Sequence, residues 1–397
     1  GPSVNSDVPT TDINGVARSG ATCNPGAFEA DGVVAPTVLT RTIGSGKDYA
    51  SFTLAEADVT NIGGSADLTF ENEAIVFEAD AGTYSENVIF NSTLTTDATR
   101  QVTYRASASS RHGGVPGAGV KIVGSTPTTY TCVAEDKFLG FSDLEVVSIT
   151  SSAVHARNGG EGVTVDNCIL TAWSYGFITF PTTSVTNATY YIRNCVFRAL
   201  RSGAIGYDTR GAAGATTSYV VVNCSAFDGN IAFRHAVGAD AASTSNLNLV
   251  NGFAGNCTYP WIAATAGTVT VTGSNNFGGS LNPFPAAIQG SPYPITATTN
   301  TSPGAGDWAI YEAATGRLYN IAENDVWQQG VGPTANADVP ATDILGEPRR
   351  GSTSNPGAFE LGLPLPGPYV KPRHFQVHTA ADPHAVSLWR PNLRVTN

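Results

Sequence analysis

Asp208 and His235 are the side chains of this sequence best placed for proton transfer. The segments SYGFITF, SGAIGYD and NIAFRH begin at matching offsets behind three Asn-Cys pairs, which brings Phe180, Asp208 and His235 to one row of neighbouring strands. A carboxylate beside an imidazole could act as acid and base on a glycosidic bond, by hydrolysis or by elimination. Glu161, Asp166, Asp228 and Asp240 are the other acids of this region, and Arg198, Arg201, Arg210 and Arg234 could clamp an anion. Trp173, Tyr175, Tyr207, Tyr259 and Trp261 offer flat apolar surfaces on which a sugar ring could stack. The plainer reading is that Asp and His at turns bond backbone amides or face solvent, and that the aromatic residues fill the interior.

Metal chemistry is weakly signalled. His374, His378 and His384 lie on a proline-rich stretch without the tight spacing of a zinc site, so a solvated tail or an intersubunit contact explains them better. There is no calcium-binding nonapeptide repeat. No metal and no cofactor are expected.

What must position these residues is a repeat. Asn-Cys occurs at Asn167-Cys168, Asn194-Cys195, Asn223-Cys224 and Asn256-Cys257, at steps of 27, 29 and 33 residues. A period in this range marks a solenoid, whose units bury their apolar faces only by stacking. The flanks VTVDNCIL, YYIRNCVF and SYVVVNCSAF alternate β-branched and aromatic residues with period two, so each unit is built of strands. Stacked strands with no helices between them give an all-β, parallel β-helix. Equivalent residues then lie about 4.8 Å apart. Asn167, Asn194 and Asn223 are expected to form an amide ladder at a turn, with Cys168, Cys195 and Cys224 pointing inward as small unbridged fillers. Asp143-Leu144 falls 24 residues before Asn167-Cys168 and reads as the preceding ladder member.

Composition agrees. Only 13% of the residues are charged, too few for helical bundles or coiled coils. A net charge of −11 with four lysines leaves no basic stripe for nucleic acid and disfavours anionic membranes. No apolar run is long enough to span a bilayer. The chain contains no methionine, so sequence upstream of Gly1 is left open.

A second repeat brackets the first. Asp7 to Glu29 (DVPTTDINGVARSGATCNPGAFE) and Asp338 to Glu360 (DVPATDILGEPRRGSTSNPGAFE) share sixteen of 23 positions. Each sets an Asp six residues before an Arg, Asp12 with Arg18 and Asp343 with Arg349. The second copy is expected to close the solenoid as its last rung, and the first to find its partner in the chain's own first coil, in a domain upstream or in a neighbouring subunit, of which the neighbour is favoured. The chain therefore divides into residues 1–31 (first copy), 32–69 (linker and a capping helix whose N-cap is Ser51), 70–281 (coils), 282–361 (last rungs and closing motif) and 362–397 (an extended C-terminal arm).

GSGKDYASFTLAEADV and EADAGTYSENVIF resemble the capping entry and first coil of pectin methylesterases, including the turn Gly82-Thr83-Tyr84-Ser85-Glu86. That resemblance implies a right-handed parallel β-helix. The esterase site it would bring needs two glutamines, yet no glutamine lies between Gln101 and Gln289. The bracketing motif and WAIYEAATGRLYNIAEND are similar to closing segments of β-helix virion proteins of tailed, marine-type bacteriophages. This implies a tailspike, fibre or capsid-decoration element, with other virion subunits and a bacterial surface polysaccharide as partners and a homo-oligomer (trimer or stack) as its state. A polysaccharide depolymerase, and a secreted bacterial adhesin or filament subunit, are the competing expectations.

Overall fold

The computed structural model describes residues 35–63, 65–126, 130–158, 160–181, 188–211, 216–237, 244–255, 257–264, 268–274, 276–278, 310–312, 317–319, 330–349, 351–354 and 357–358. The first copy of the bracketing motif, Cys23, Asp240, Asn256, the three C-terminal histidines and the extended arm lie outside these residues.

Three strands per turn build three parallel sheets, wound as a right-handed β-helix. The described residues place nine strands in the first sheet, from Thr37–Ile43 to Thr268–Ser274. Seven form the second, from Val88–Phe90 to Tyr259–Ala264, and eight the third, from Gly82–Ser85 to Phe277–Gly278. Each strand pairs with its counterpart one coil away, so inward positions stack in columns. Val146, Leu170, Phe197 and Ala226 form one such column, and Phe177, Tyr207 and Phe233 another. Tyr207 and Phe233 stack with ring centres 5.2 Å apart, and Tyr190 and Tyr219 at 5.1 Å. Each buried ring contributes about 1.5–3 kcal/mol by leaving water, and their in-register repetition makes the core continuous along the axis. The first sheet begins earlier than the sequence division at residue 70 implies. Thr37–Ile43, read there as linker, pairs with Glu73–Ala79.

A helix, Phe52–Asp58, plugs the N-terminal end. The Ser51 hydroxyl accepts from Leu54 N at 3.2 Å, as an N-cap should. Glu86, from the Gly-x-Tyr-x-Glu turn, accepts from Phe52 N and Thr53 N at 3.0 and 2.9 Å. Phe52 and Ala55 are buried beneath it, Phe52 edge-on to Tyr84 at 5.1 Å. No helix among the described residues is long and apolar enough to cross a membrane.

At the turn leaving the first sheet the chain adopts the left-handed conformation in five successive coils, at Asp143, Asn167, Asn194, Asn223 and Asn251, with φ between 52° and 58°. Asn and Asp tolerate this region better than other side chains that carry a Cβ. Asn194 Nδ2 donates to Asn167 Oδ1 at 3.0 Å, and Asn251 Nδ2 to Asn223 Oδ1 at 2.7 Å. The expected continuous ladder is therefore two rungs. Asn223 Nδ2 is buried without a partner, while Asn194 Oδ1 is taken by Arg349. Cys168, Cys195 and Cys224 are buried, unbridged and inward, each thiol within 3.2–3.4 Å of the carbonyl two residues earlier. Burial pushes the Cys168 and Cys195 thiols well above their ordinary pKa. The fourth Asn-Cys pair does not continue the column, because Ser225 pairs with Phe253 and so puts Asn251-Gly252 in register with Asn223-Cys224.

Segment 330–358 corrects a further expectation. Instead of closing the end as a rung, it lies along the side of the solenoid over the asparagine turns. Arg349 Nη2 donates to Asn194 Oδ1 and Gly357 O at 3.0 and 3.1 Å, and Asn194 Nδ2 donates to Thr342 O at 2.7 Å. Ala358 N donates to Ser225 Oγ at 3.0 Å, and Asn251 exchanges hydrogen bonds with Val331 N and O. Val339 packs with Val222 and Val250 in a small satellite core. Gly357 has φ +85°, and a Cβ there would come within 2.5 Å of Ser225 Oγ, so the segment seats only with glycine at this position. Asp343 Oδ1 accepts from Leu345 N and Glu347 N, shaping the turn that delivers Arg349. Buried polar groups that find their partners across the solenoid wall cannot be supplied by an end rung, and this is why the segment runs sideways.

Candidate functional site

The outward face of the second sheet carries a group of charged and aromatic side chains in mutual contact. Two rows run across its strands. One is Arg157, Phe180 and Arg210, and the other is His155, Ile178, Asp208 and Arg234. Alternation along Ser152–Asn158, Tyr175–Pro181 and Ile205–Gly211 turns these residues out while Val154, Phe177 and Tyr207 turn in.

Asp208 is closed off. Its side chain is 0% exposed, and Arg210 donates to Oδ2 from Nε and Nη2 at 2.8 and 2.7 Å. Arg234 donates to Oδ1 from Nε at 2.7 Å and to Oδ2 from Nη2. These bonds to Asp208 hold the Arg234 pKa above its ordinary value. A carboxylate with both oxygens engaged by guanidinium groups and no exposure is a structural anchor, poorly suited to accept a proton from substrate.

His235 does not join it. The register places Asp208 opposite Arg234, and His235 opposite Thr209. One residue of offset puts His235 on the other side of the sheet. There it is 0% exposed, its Nδ1 lies 2.7 Å from Thr209 Oγ1, and burial pushes its pKa down to about 4. The shared row of Phe180, Asp208 and His235 is therefore corrected to three separate rows. For Asp208 the cause is a corner of unequal length, since nine residues separate Val196 from Ile205 but six separate Ile169 from Tyr175 and Ser225 from Ile231, while His235 falls one place short of the row of Phe180.

The aromatic candidates divide likewise. Trp173 is 41% exposed, and the Arg201 guanidinium lies 5.3 Å from its ring centre. Tyr175 is half-buried, with Arg234 and Arg210 at 5.5 and 6.0 Å from its ring. Both are available at the surface. Tyr207, by contrast, is core, its hydroxyl donating to Cys195 O and lying 3.0 Å from Ser225 O. Trp261 pairs through its backbone with Phe233, and its side chain lies outside the described residues.

Phe180, His155, Tyr130, Arg157 and Glu135 complete the face. Phe180 is 51% exposed and carries Arg210 at 4.5 Å from its ring centre. His155 lies edge-on to Tyr130 at 4.1 Å and to Phe180 at 6.2 Å. Arg157 pairs with Glu135 at 2.8 Å. The signal for His155 and Arg157 was the alternation in SAVHARN, a coil before the Asn-Cys units from which the alignment started. Three arginines face two carboxylates here, a local excess of positive charge on a chain whose net charge is −11. Such a surface can stack planar or ring-shaped groups and donate charged hydrogen bonds.

No protein-family model and no curated protein matches the chain. Among solved structures it is similar to pectin methylesterase from carrot, at 14% identity and TM-score 0.36 over 62% of this chain and 73% of that one. The deglycosylated pectin methylesterase of Aspergillus niger aligns at 13% identity and TM-score 0.35, over 68% and 96%. Pectate lyase Pel9A aligns at 12% and 0.27, over 83% and 98%. Each likeness is of one β-helix to another, and the three parallel sheets define the fold without them.

Proposed function

We propose that this chain is a rigid β-helical element of a bacteriophage virion, of the tailspike, fibre or capsid-decoration kind, that holds a host surface polysaccharide on the outer face of its second sheet without cleaving it. The virion part follows the resemblance of the bracketing motif to phage closing segments. The binding part rests on one observation: the only acid on that face proposed for catalysis, Asp208, is sealed by Arg210 and Arg234, among arginines and exposed rings. Stacking and guanidinium hydrogen bonds hold a sugar without moving a proton. The lateral segment 330–358 supports the spacer role, because it ties three coils together from outside the stack.

The test is binding of the purified chain to capsular polysaccharides and lipopolysaccharides, with the same mixtures assayed for new reducing ends and unsaturated products. Saturable binding without products is expected, weakened by Trp173→Ala and Phe180→Ala. Product formation would overturn the non-cleaving reading in favour of a depolymerase.

A further inference from the structure

We infer that Arg157, Arg210 and His155 form, beneath Phe180, a receptor for the negatively charged substituent of an acidic sugar. This rests on the reading of the face as a glycan contact and names the class of glycan. Arg157 pairs with Phe180, and Arg210, two residues past the Ile178–Asp208 pair, stands on the other side of Phe180 with its guanidinium over the ring, two strand spacings from Arg157. At about 4.8 Å per strand their backbones are separated by about 10 Å, and two long side chains can close on one carboxylate or sulfate across that distance.

His155 supplies the independent observation. It is 4% exposed, and neither Nδ1 nor Nε2 has a hydrogen-bond partner. The other two buried histidines among the described residues differ. His112 has Asn167 O and Gly114 N as partners, and His235 has Thr209. A buried imidazole with both nitrogens unused is costly to keep, and an unsatisfied group of this kind asks for a reason. Burial, then Arg157 and Arg210, push its pKa down to about 4, so at neutral pH the ring is uncharged, with one donor and one acceptor. It could give its N–H to an anionic oxygen and take a hydrogen bond from a sugar hydroxyl. Phe180 stands over it, half exposed, its ring held by the stacked guanidinium of Arg210. A ligand that displaces this ring reaches His155 and both guanidinium groups together. The neighbouring carboxylates, Glu135 and Asp208, are each already paired with arginine, so they repel an incoming anion less than free acids would.

The test is calorimetry with a hyaluronan tetrasaccharide, which carries a carboxylate on alternate sugars, against its carboxyl-reduced neutral counterpart, at low and high salt. The acidic tetrasaccharide should bind at least about ten-fold more tightly at low salt, as expected for a charged hydrogen-bonded group. Arg157→Gln should remove that preference, weakening the acidic tetrasaccharide by about ten-fold more than the neutral one. In the wild-type protein, the NMR signals of the His155 ring should shift with the acidic ligand only. Equal affinity for the two ligands, or a His155 ring indifferent to the acidic one, overturns the anion receptor while leaving the glycan contact standing. Affinity for neither overturns the anion receptor, and the glycan contact is then decided by the capsular polysaccharide and lipopolysaccharide panel.

Discussion

Arg349 donates from Nη2 to Oδ1 of Asn194, a residue 155 positions earlier in the chain and on the wall of the solenoid. The same nitrogen reaches Gly357 O, so one guanidinium joins the returning segment to itself and to the coil beneath. Arg349→Gln should leave a buried carbonyl and a buried amide oxygen short of a donor, costing about 1–3 kcal/mol in urea unfolding. A loss near zero would show that segment 330–358 only rests on the wall.

Asn194 separates backbone from ladder. Asn194→Gly keeps the left-handed turn and loses the amide, whereas Asn194→Ala loses the amide and strains the turn. The glycine variant should be destabilised by about 1–3 kcal/mol. The alanine variant should fall further, by about 1 kcal/mol, and equal losses would mean that the turn carries no conformational strain.

Asp208→Asn should destabilise by about 2–3 kcal/mol, somewhat below the usual figure for breaking a buried ion pair because Arg210 and Arg234 remain 23% and 21% exposed. Circular dichroism melting and denaturant curves would measure it. A loss below about 0.5 kcal/mol, in the range of ordinary surface substitutions, would show that the triad is already screened by solvent.

Glu56 makes stability fall as pH rises. Its carboxylate is nearly buried beneath the capping helix that carries it, and burial, helped by the nearby Asp136, lifts its pKa to about 7 against bonds from Tyr104 and Asn91 that lower it. Between 4.5 and about 7 the folded chain holds a proton that the unfolded chain has lost. Stability from this group is full below that window and is lost through it, by about 3 kcal/mol. Glu56→Gln should abolish that part of the decline, so the variant should gain on the wild type between pH 4 and pH 8. An unchanged pH slope would refute it.

The solenoid was legible because its signal repeats. Asn167, Asn194 and Asn223 fall at the left-handed turn, and Cys168, Cys195 and Cys224 inside, because turn chemistry and small inward fillers recur in every coil. Ser51 as helix cap was legible for a local reason, a hydroxyl three residues before the amide it accepts from. The site was not. Placing Asp208 beside His235 required the lengths of two corners, and a corner tolerates insertions that a strand does not. Asn251 was passed over because a glycine follows it, Gly252, whose space is filled by Asn276 from the next coil. The sideways course of segment 330–358 depends on Arg349, Asp343 and Gly357 meeting partners far away in sequence, and spacing within the motif holds no trace of that.

That sideways course also decides how the molecule would carry load. A pull on the chain beyond Ala358 would not peel one strand after another from an open edge. It would arrive as shear at Ser225, Asn194 and Asn251 together, across three coils. Hydrogen bonds loaded in parallel must break at once, whereas a stack loaded from its end unzips one rung at a time.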